Sequence, residues 1–156
     1  MIIIMLGAPG SGKGTIGKKL CDEYGLEHVA TGDIFRDEIK RGTECGIKAN
    51  EFISQGKLVP DEITIEMVLN KLKKSKNVCL DGFPRTINQA EKLDEFLNNN
   101  NDEVTAVINL SVPDEDLIKR TSSRIICPNK SCGASYNTIF LPPKVDGVCD
   151  ICGTKL

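Results

Sequence analysis

Residues 7–15, GAPGSGKGT, follow directly on the apolar run MIIIML. The spacing of Gly7, Gly12 and Lys13 fits a phosphate-binding loop: an apolar strand, a Gly-rich turn, then a helix. Glycines let successive backbone N–H groups converge on an anion, and the helix that follows points the positive end of its dipole at the same place. Lys13 adds a point charge for the outer phosphates of a nucleotide. The competing reading is a tight strand-to-helix turn carrying a surface lysine. The residue after the lysine in such loops is a Ser or Thr that ligates magnesium. Here it is Gly14, so Mg²⁺ must be held another way, with Thr15 one residue further on.

Asp81 ends the apolar stretch NVCLD and is the first candidate to supply what Gly14 lacks, because an acid at the end of a neighbouring core strand faces the magnesium and its waters. The alternative is an Asp opening a turn before Gly82. Arg85 falls at the same carboxyl edge of the sheet, where doubly wound folds bind ligands. Arg120 and Arg124 are spaced i, i+4 on a predicted helix, which puts both guanidinium groups on one face. An anion between them would relieve their repulsion, and phosphoryl transfer depends on positioning and on cations around the moving group. A solvated basic face is the other reading. His28, the one histidine, sits beside a predicted strand and is given no catalytic role.

Seven cysteines are unevenly spread. Cys21, Cys45 and Cys79 are isolated, and Cys21 and Cys79 lie in apolar surroundings, where a thiol behaves as a small hydrophobe. Cys127, Cys132, Cys149 and Cys152 form two close pairs separated by a loop long enough to fold back. Four thiolates with no histidine match the closed tetrahedral site of a structural Zn²⁺. A redox pair at Cys149 and Cys152 competes, without the flanking βαβ context that thioredoxin-like chemistry requires.

The elements that must position these residues alternate. Apolar runs bounded by turn residues predict strands at 1–6, 28–30, 78–81 and 104–110, with helices between them, the pattern of a parallel sheet covered by helices. Helices are expected from Lys13 to Gly25, from an N-capping Thr31 to Gly42, over 44–56, from Asp61 after Pro60 through the following lysines, over 87–97 and over 113–123. Asn98 to Asp102 reads as a polar loop. Residues 31–59, short helices punctuated by glycine, and 126–156, where helical period gives way to Cys, Pro and Gly, look inserted into the alternation.

The chain of 156 residues is sized for one domain. With 40% hydrophobic residues, 27% charged and a net charge of −2, it has no basic stripe for nucleic acid or an anionic membrane surface, which also disfavours a small zinc-finger reading. The first apolar run is short and lacks a basic leader, so a core strand and a cytoplasmic location are expected, with no membrane span.

GAPGSGKGT, TGDIFR, GKLVPDE, DGFPRTINQA, VPDEDLIKR and LPPKVDG stand in the order and spacing of the adenylate kinases, and together they span the chain. The sequence resembles the bacterial, zinc-containing kind with a long lid. The resemblance implies an α/β P-loop nucleoside monophosphate kinase fold: a core over 1–29 and 60–123, an AMP-binding insert over 30–59 and a zinc-binding lid over 124–156. It implies that Gly10, Ser11, Gly12, Lys13, Gly14 and Thr15 cradle the ATP phosphates, with Arg120, Ser135 and Tyr136 as further ATP contacts. Thr31, Arg36, Lys57, Leu58, Val59, Gly82, Phe83, Pro84, Arg85 and Gln89 resemble the AMP site. Lys13, Asp81, Arg85, Arg120 and Arg124 would form the phosphoryl-transfer centre. Relatives acting on UMP or CMP commonly carry Ala at the position of Thr31 and DGFPRN for DGFPRT, so this chain has the AMP forms. The Gln89 amide can pair with the adenine edge, accepting from its amino group and donating to a ring nitrogen.

The implied reaction is ATP + AMP to and from two ADP, with Mg²⁺ on the nucleotide, Zn²⁺ in the lid, ATP, AMP and ADP as the only partners, and a monomeric enzyme. After the second cysteine pair, family members continue through an Arg- and Asp-bearing return strand, a long helix with a further Arg, and a last core strand with its helix, whereas this sequence stops at Leu156. The expectation is therefore the N-terminal part of an enzyme. The alternative is a non-catalytic nucleotide-binding module that has lost turnover.

Overall fold

The computed structural model describes residues 1–129 and 132–156. The β-branched run of β1 (Ile2–Gly7) is buried on both faces, as a central parallel strand requires. Alternation sorts its side chains. Ile2 and Ile4 join one apolar cluster with Val29, Val68, Val78, Leu80, Phe83 and Leu93, while Ile3 and Met5 join another with Cys21, Leu26 and Cys79. Each fully buried Ile, Val, Leu, Met or Phe side chain contributes about 1.5–3 kcal/mol relative to leaving it exposed.

Around β1 the chain lays down α1 (Lys13–Tyr24), β2 (Glu27–Ala30), α2 (Thr31–Arg41), α3 (Glu44–Ser54), α4 (Asp61–Leu72), β3 (Val78–Asp81), α5 (Ile87–Asn99) and β4 (Ala106–Leu110). The sheet order is β2-β3-β1-β4. Both β1 and β2 pair in parallel with β3, in a register that sets Met5 and Ala30 against Asp81. The carboxyl ends of three strands therefore lie side by side. The rest of the chain forms α6 (Asp114–Ser122) and an antiparallel pair, β5 (Arg124–Ile126) with β6 (Ser135–Asn137).

Contacts divide the chain into two compact units: 1–6 with 12–110, and 7–11 with 111–156. Residues 30–59 fall inside the first unit, and α6 belongs to the second with the cysteine segment.

Several element ends differ from expectation for identifiable reasons. Thr31 is the first helical residue of α2, not its cap; Ala30 holds the cap position, and the Thr31 hydroxyl donates instead to the carbonyl of Gly82 at 3.4 Å. The asparagine run does not stop α5 at 97: the helix continues to Asn99, and Asn100 Nδ2 donates to Phe96 O at 2.7 Å. Helix α6 ends at Ser122, so Arg120 and Arg124 do not share a helix face. The Ser123 hydroxyl donates back to Lys119 O at 2.5 Å, and the Ser123 carbonyl accepts from Thr138 N at 2.9 Å, which draws the chain into the β5–β6 pair.

Candidate functional site

Within the first unit, α1 begins at Lys13 behind Gly12, whose φ of 100° is left-handed and which leaves the helix without a side-chain cap. The Gly12 carbonyl accepts from Thr15 and Ile16 N–H, both at 3.0 Å. An uncapped N-terminus with a lysine in its first turn is built to meet an anion. Nearby, an ideal Cβ on Gly14 would lie 3.4 Å from Asp81 Oδ2, so any side chain at 14 would abut that carboxylate. The glycine there leaves Asp81 uncrowded. His28 Nε2 lies 3.5 Å from the same oxygen and has no hydrogen-bond partner among the described residues.

Gly82, Thr31 and Arg85 form one knot. Arg85 Nε donates to Gly82 O at 2.7 Å, onto the carbonyl that also accepts from Thr31. Gly82 has φ +82°, and a Cβ there would come within 2.7 Å of the Arg85 guanidinium and 3.0 Å of the Thr31 hydroxyl, so a side chain would be strained by its backbone and would displace the Arg85 head. Thr31 is only 5% exposed, whereas the Arg85 head is in solvent. Phe83 is wholly buried in the core and Pro84 half-buried.

The other residues named for AMP are placed less uniformly. Arg36 is exposed and paired with Asp33 of its own helix. Lys57 is exposed, Leu58 is 90% exposed and Val59 half-buried. Gln89 is 4% exposed, and its amide is held at both ends: Oε1 accepts from Arg85 N at 2.7 Å and Nε2 donates to Asp61 Oδ1 at 2.6 Å. Asp61 and Thr86 were not singled out from the sequence, and His28 was given no role there. Asp61 was read only as the residue that opens α4 after Pro60, and it does stand there, at the first helical position.

In the second unit Gly10 (φ +85°) packs on α6, where an added Cβ would lie 2.8 Å from Thr121 Oγ1. The Ser11 hydroxyl is buried with no partner among the described residues, as a ligand-facing donor would be. The Arg120 guanidinium lies 5.6 Å from the centre of the Phe140 ring. Arg124 Nε donates to Ser135 Oγ at 2.8 Å, and both residues are exposed. Tyr136 is 7% exposed; its hydroxyl lies 3.4 Å from Cys149 Sγ and accepts from Asp150 N at 2.7 Å. Its side chain thus faces the cysteines.

The sulfurs of Cys127, Cys132, Cys149 and Cys152 all lie within 4.8 Å of one another. Cys127 and Cys152 are 3.5 Å apart, and Cys132 and Cys149 3.7 Å. A tetrahedral zinc with its sulfurs at about 2.3 Å would separate them by about 3.8 Å, so the donor set and its size both fit. Hydrogen bonding to Thr154 draws the Cys152 thiol down to about 6, while burial pushes Cys127 up to about 12. No disulfide joins these cysteines. Among the described residues no helix is long and apolar enough to cross a membrane.

A family model described as adenylate kinase matches residues 5–148. The chain is 50% identical to adenylate kinases of Methanosarcina barkeri, Lachnospira eligens and Caldicellulosiruptor saccharolyticus, in each case over all of this chain. It covers 73%, 74% and 73% of those proteins respectively. The fold is an α/β fold with a parallel sheet flanked by helices, consistent with a P-loop kinase. The chain belongs to the adenylate kinase family.

Proposed function

We propose that this protein is an ATP:AMP phosphotransferase, moving the terminal phosphoryl of ATP reversibly to AMP to give two ADP. The observation that carries the reading is the uncapped start of α1 behind the Gly-rich turn, with Lys13 in its first turn. Phosphoryl transfer asks the protein for alignment and charge rather than covalent chemistry. Residues 10–15 would hold the ATP phosphates, with Arg120, Ser135 and Tyr136 as further ATP contacts. Thr31, Arg36, residues 57–59, residues 82–85 and Gln89 would hold AMP. Lys13, Arg85, Arg120 and Arg124 would neutralise charge on the moving group.

Mg²⁺, when bound with ATP, supplies further neutralisation of the phosphate charge. Asp81, left uncrowded by Gly14, is the residue that would face it. The four cysteines would hold Zn²⁺ in a closed, non-catalytic site that organises its own segment. We propose a monomer in the cytoplasm, and the near-neutral charge gives no reason to expect nucleic acid or an anionic membrane surface as a partner.

The test is ADP formation from ATP and AMP with Mg²⁺ by the purified chain, with CMP replacing AMP as control. Turnover with AMP and not CMP supports the reading. Nucleotide binding without turnover would replace it with a non-catalytic nucleotide-binding module.

A further inference from the structure

The Gln89 amide has only one possible sense. The Asp61 carboxylate on one side can only accept, and the Arg85 backbone N–H on the other can only donate. Turning the amide over would set oxygen against carboxylate and N–H against N–H. Asp61 is itself fixed: its second oxygen, Oδ2, accepts from the Thr86 hydroxyl at 2.6 Å, and that hydroxyl accepts from Gln89 N at 3.2 Å. The result is a closed ring of hydrogen bonds joining the first turns of α4 and α5. Hydrogen bonds from Thr86, and also from Gln89 and Asn88, hold the Asp61 carboxyl below the usual carboxylate range.

Each polar atom of the amide keeps one unused valence, a lone pair on Oε1 and a second hydrogen on Nε2. A 6-aminopurine presents an amino donor beside a ring-nitrogen acceptor, which complements that pair. A 6-oxopurine presents an oxo acceptor beside a ring N–H, which opposes it at both atoms. An unconstrained glutamine amide would turn over and serve either base.

We propose that Asp61 is a positioning residue that sets base specificity: by fixing the sense of the Gln89 amide, it admits a 6-aminopurine monophosphate and rejects a 6-oxopurine one. The inference rests on the reading of Gln89 as a residue facing AMP. Without Asp61 only the Arg85 N–H orients the amide, and a charged hydrogen bond of this kind is worth about tenfold or more.

The experiment is calorimetric titration of AMP, IMP and ATP into the wild-type chain, Asp61→Ala and Asp61→Asn. The wild type should bind AMP in strong preference to IMP. Asp61→Ala should narrow that ratio about tenfold or more, and Asp61→Asn, which keeps the shape and one acceptor, should narrow it less, with ATP binding unchanged in both. An AMP:IMP ratio that stays at the wild-type value overturns the inference and leaves the AMP reading standing. So does a wild type that binds both bases equally. Loss of ATP binding in both variants would assign Asp61 to the fold and overturn it as well. A wild type that binds ATP but no AMP would overturn the AMP reading, and this inference with it.

Discussion

His28 Nε2 lies 3.5 Å from Asp81 Oδ2, across the neighbouring strands β2 and β3 and under α1. Gly17 makes room for it: a Cβ there would come within 3.2 Å of the same imidazole nitrogen. If Asp81 faces Mg²⁺, His28 is the imidazole packed beside its carboxylate, and groups that support metal-facing carboxylates typically matter by about 10–100-fold. We expect His28→Ala to lower Mg²⁺-dependent turnover by about tenfold, and Asp81→Ala by more, with the fold retained. Steady-state rates over a Mg²⁺ titration, beside circular dichroism spectra, check this; a His28→Ala enzyme with the wild-type Mg²⁺ dependence would contradict it.

The second unit has a small core. Cys127, Tyr136 and Cys149 are its buried cluster, with Cys132, Ala134 and Leu156 packed against them, and α6 buries none of its residues. Organisation of that unit should therefore depend on metal, since site formation and local folding are one equilibrium. Chelation, or Cys149→Ser, should abolish amide protection in 124–156 while the strands of the parallel sheet keep theirs. Hydrogen exchange by mass spectrometry reads both at once, and equal loss in β1 and β3 would refute the expectation.

Helices α2 and α3 touch at Gly46. A Cβ added there would lie 2.3 Å from the Glu38 carbonyl oxygen, a backbone atom that cannot swing away. Gly46→Ala should cost about 1–3 kcal/mol through forced separation of the two helices. At about 2–4 °C per kcal/mol for a chain of this size, the loss is visible in a thermal melt. An unchanged melting temperature would show that the helices part freely.

Acid and base should weaken the fold through different groups. Glu27 is held below its ordinary 4.5 by hydrogen bonds from Lys71 and then Ser75, and such a depressed carboxyl stabilises the fold above 4.5 and loses that contribution as pH falls through its folded value. Cys79 goes the other way: burial pushes it from its ordinary 9.0 up to about 12. Its contribution is complete below pH 9, where the unfolded thiol is also neutral, and is lost progressively as pH rises from 9 towards 12. Urea midpoints between pH 8 and 11 should fall for the wild type and fall less for Cys79→Ala. The same thiol should resist alkylation at pH 8 until the chain unfolds.

Local signals made the sheet and the loop legible. Val78 to Asp81 is a strand with the expected bounds because an apolar run between polar residues leaves little else for it to be. The cysteine cluster was readable from spacing alone, since four ligands of one chemistry in two pairs admit few closed geometries. What stayed hidden was non-local. Nothing near Asp61 reveals that its partners, Thr86 and Gln89, arrive from another helix, and nothing near His28 reveals Asp81. Arg120 and Arg124 misled because an i, i+4 spacing assumes an unbroken helix, and a serine hydroxyl returning to its own backbone ended this one.

The phenol of Tyr136, pressed against Cys149, makes the cysteine cluster visible by eye of a spectrometer. The chain has no tryptophan, and its other tyrosine, Tyr24, stands in solvent, 59% exposed. Tyrosine emission from the native protein therefore comes from two rings only, one of them beside sulfur. Loading or stripping the cluster should change the brightness of one ring and leave the other constant. Tyrosine brightness is thus an optical gauge of whether the cluster takes up metal, and it needs no dye.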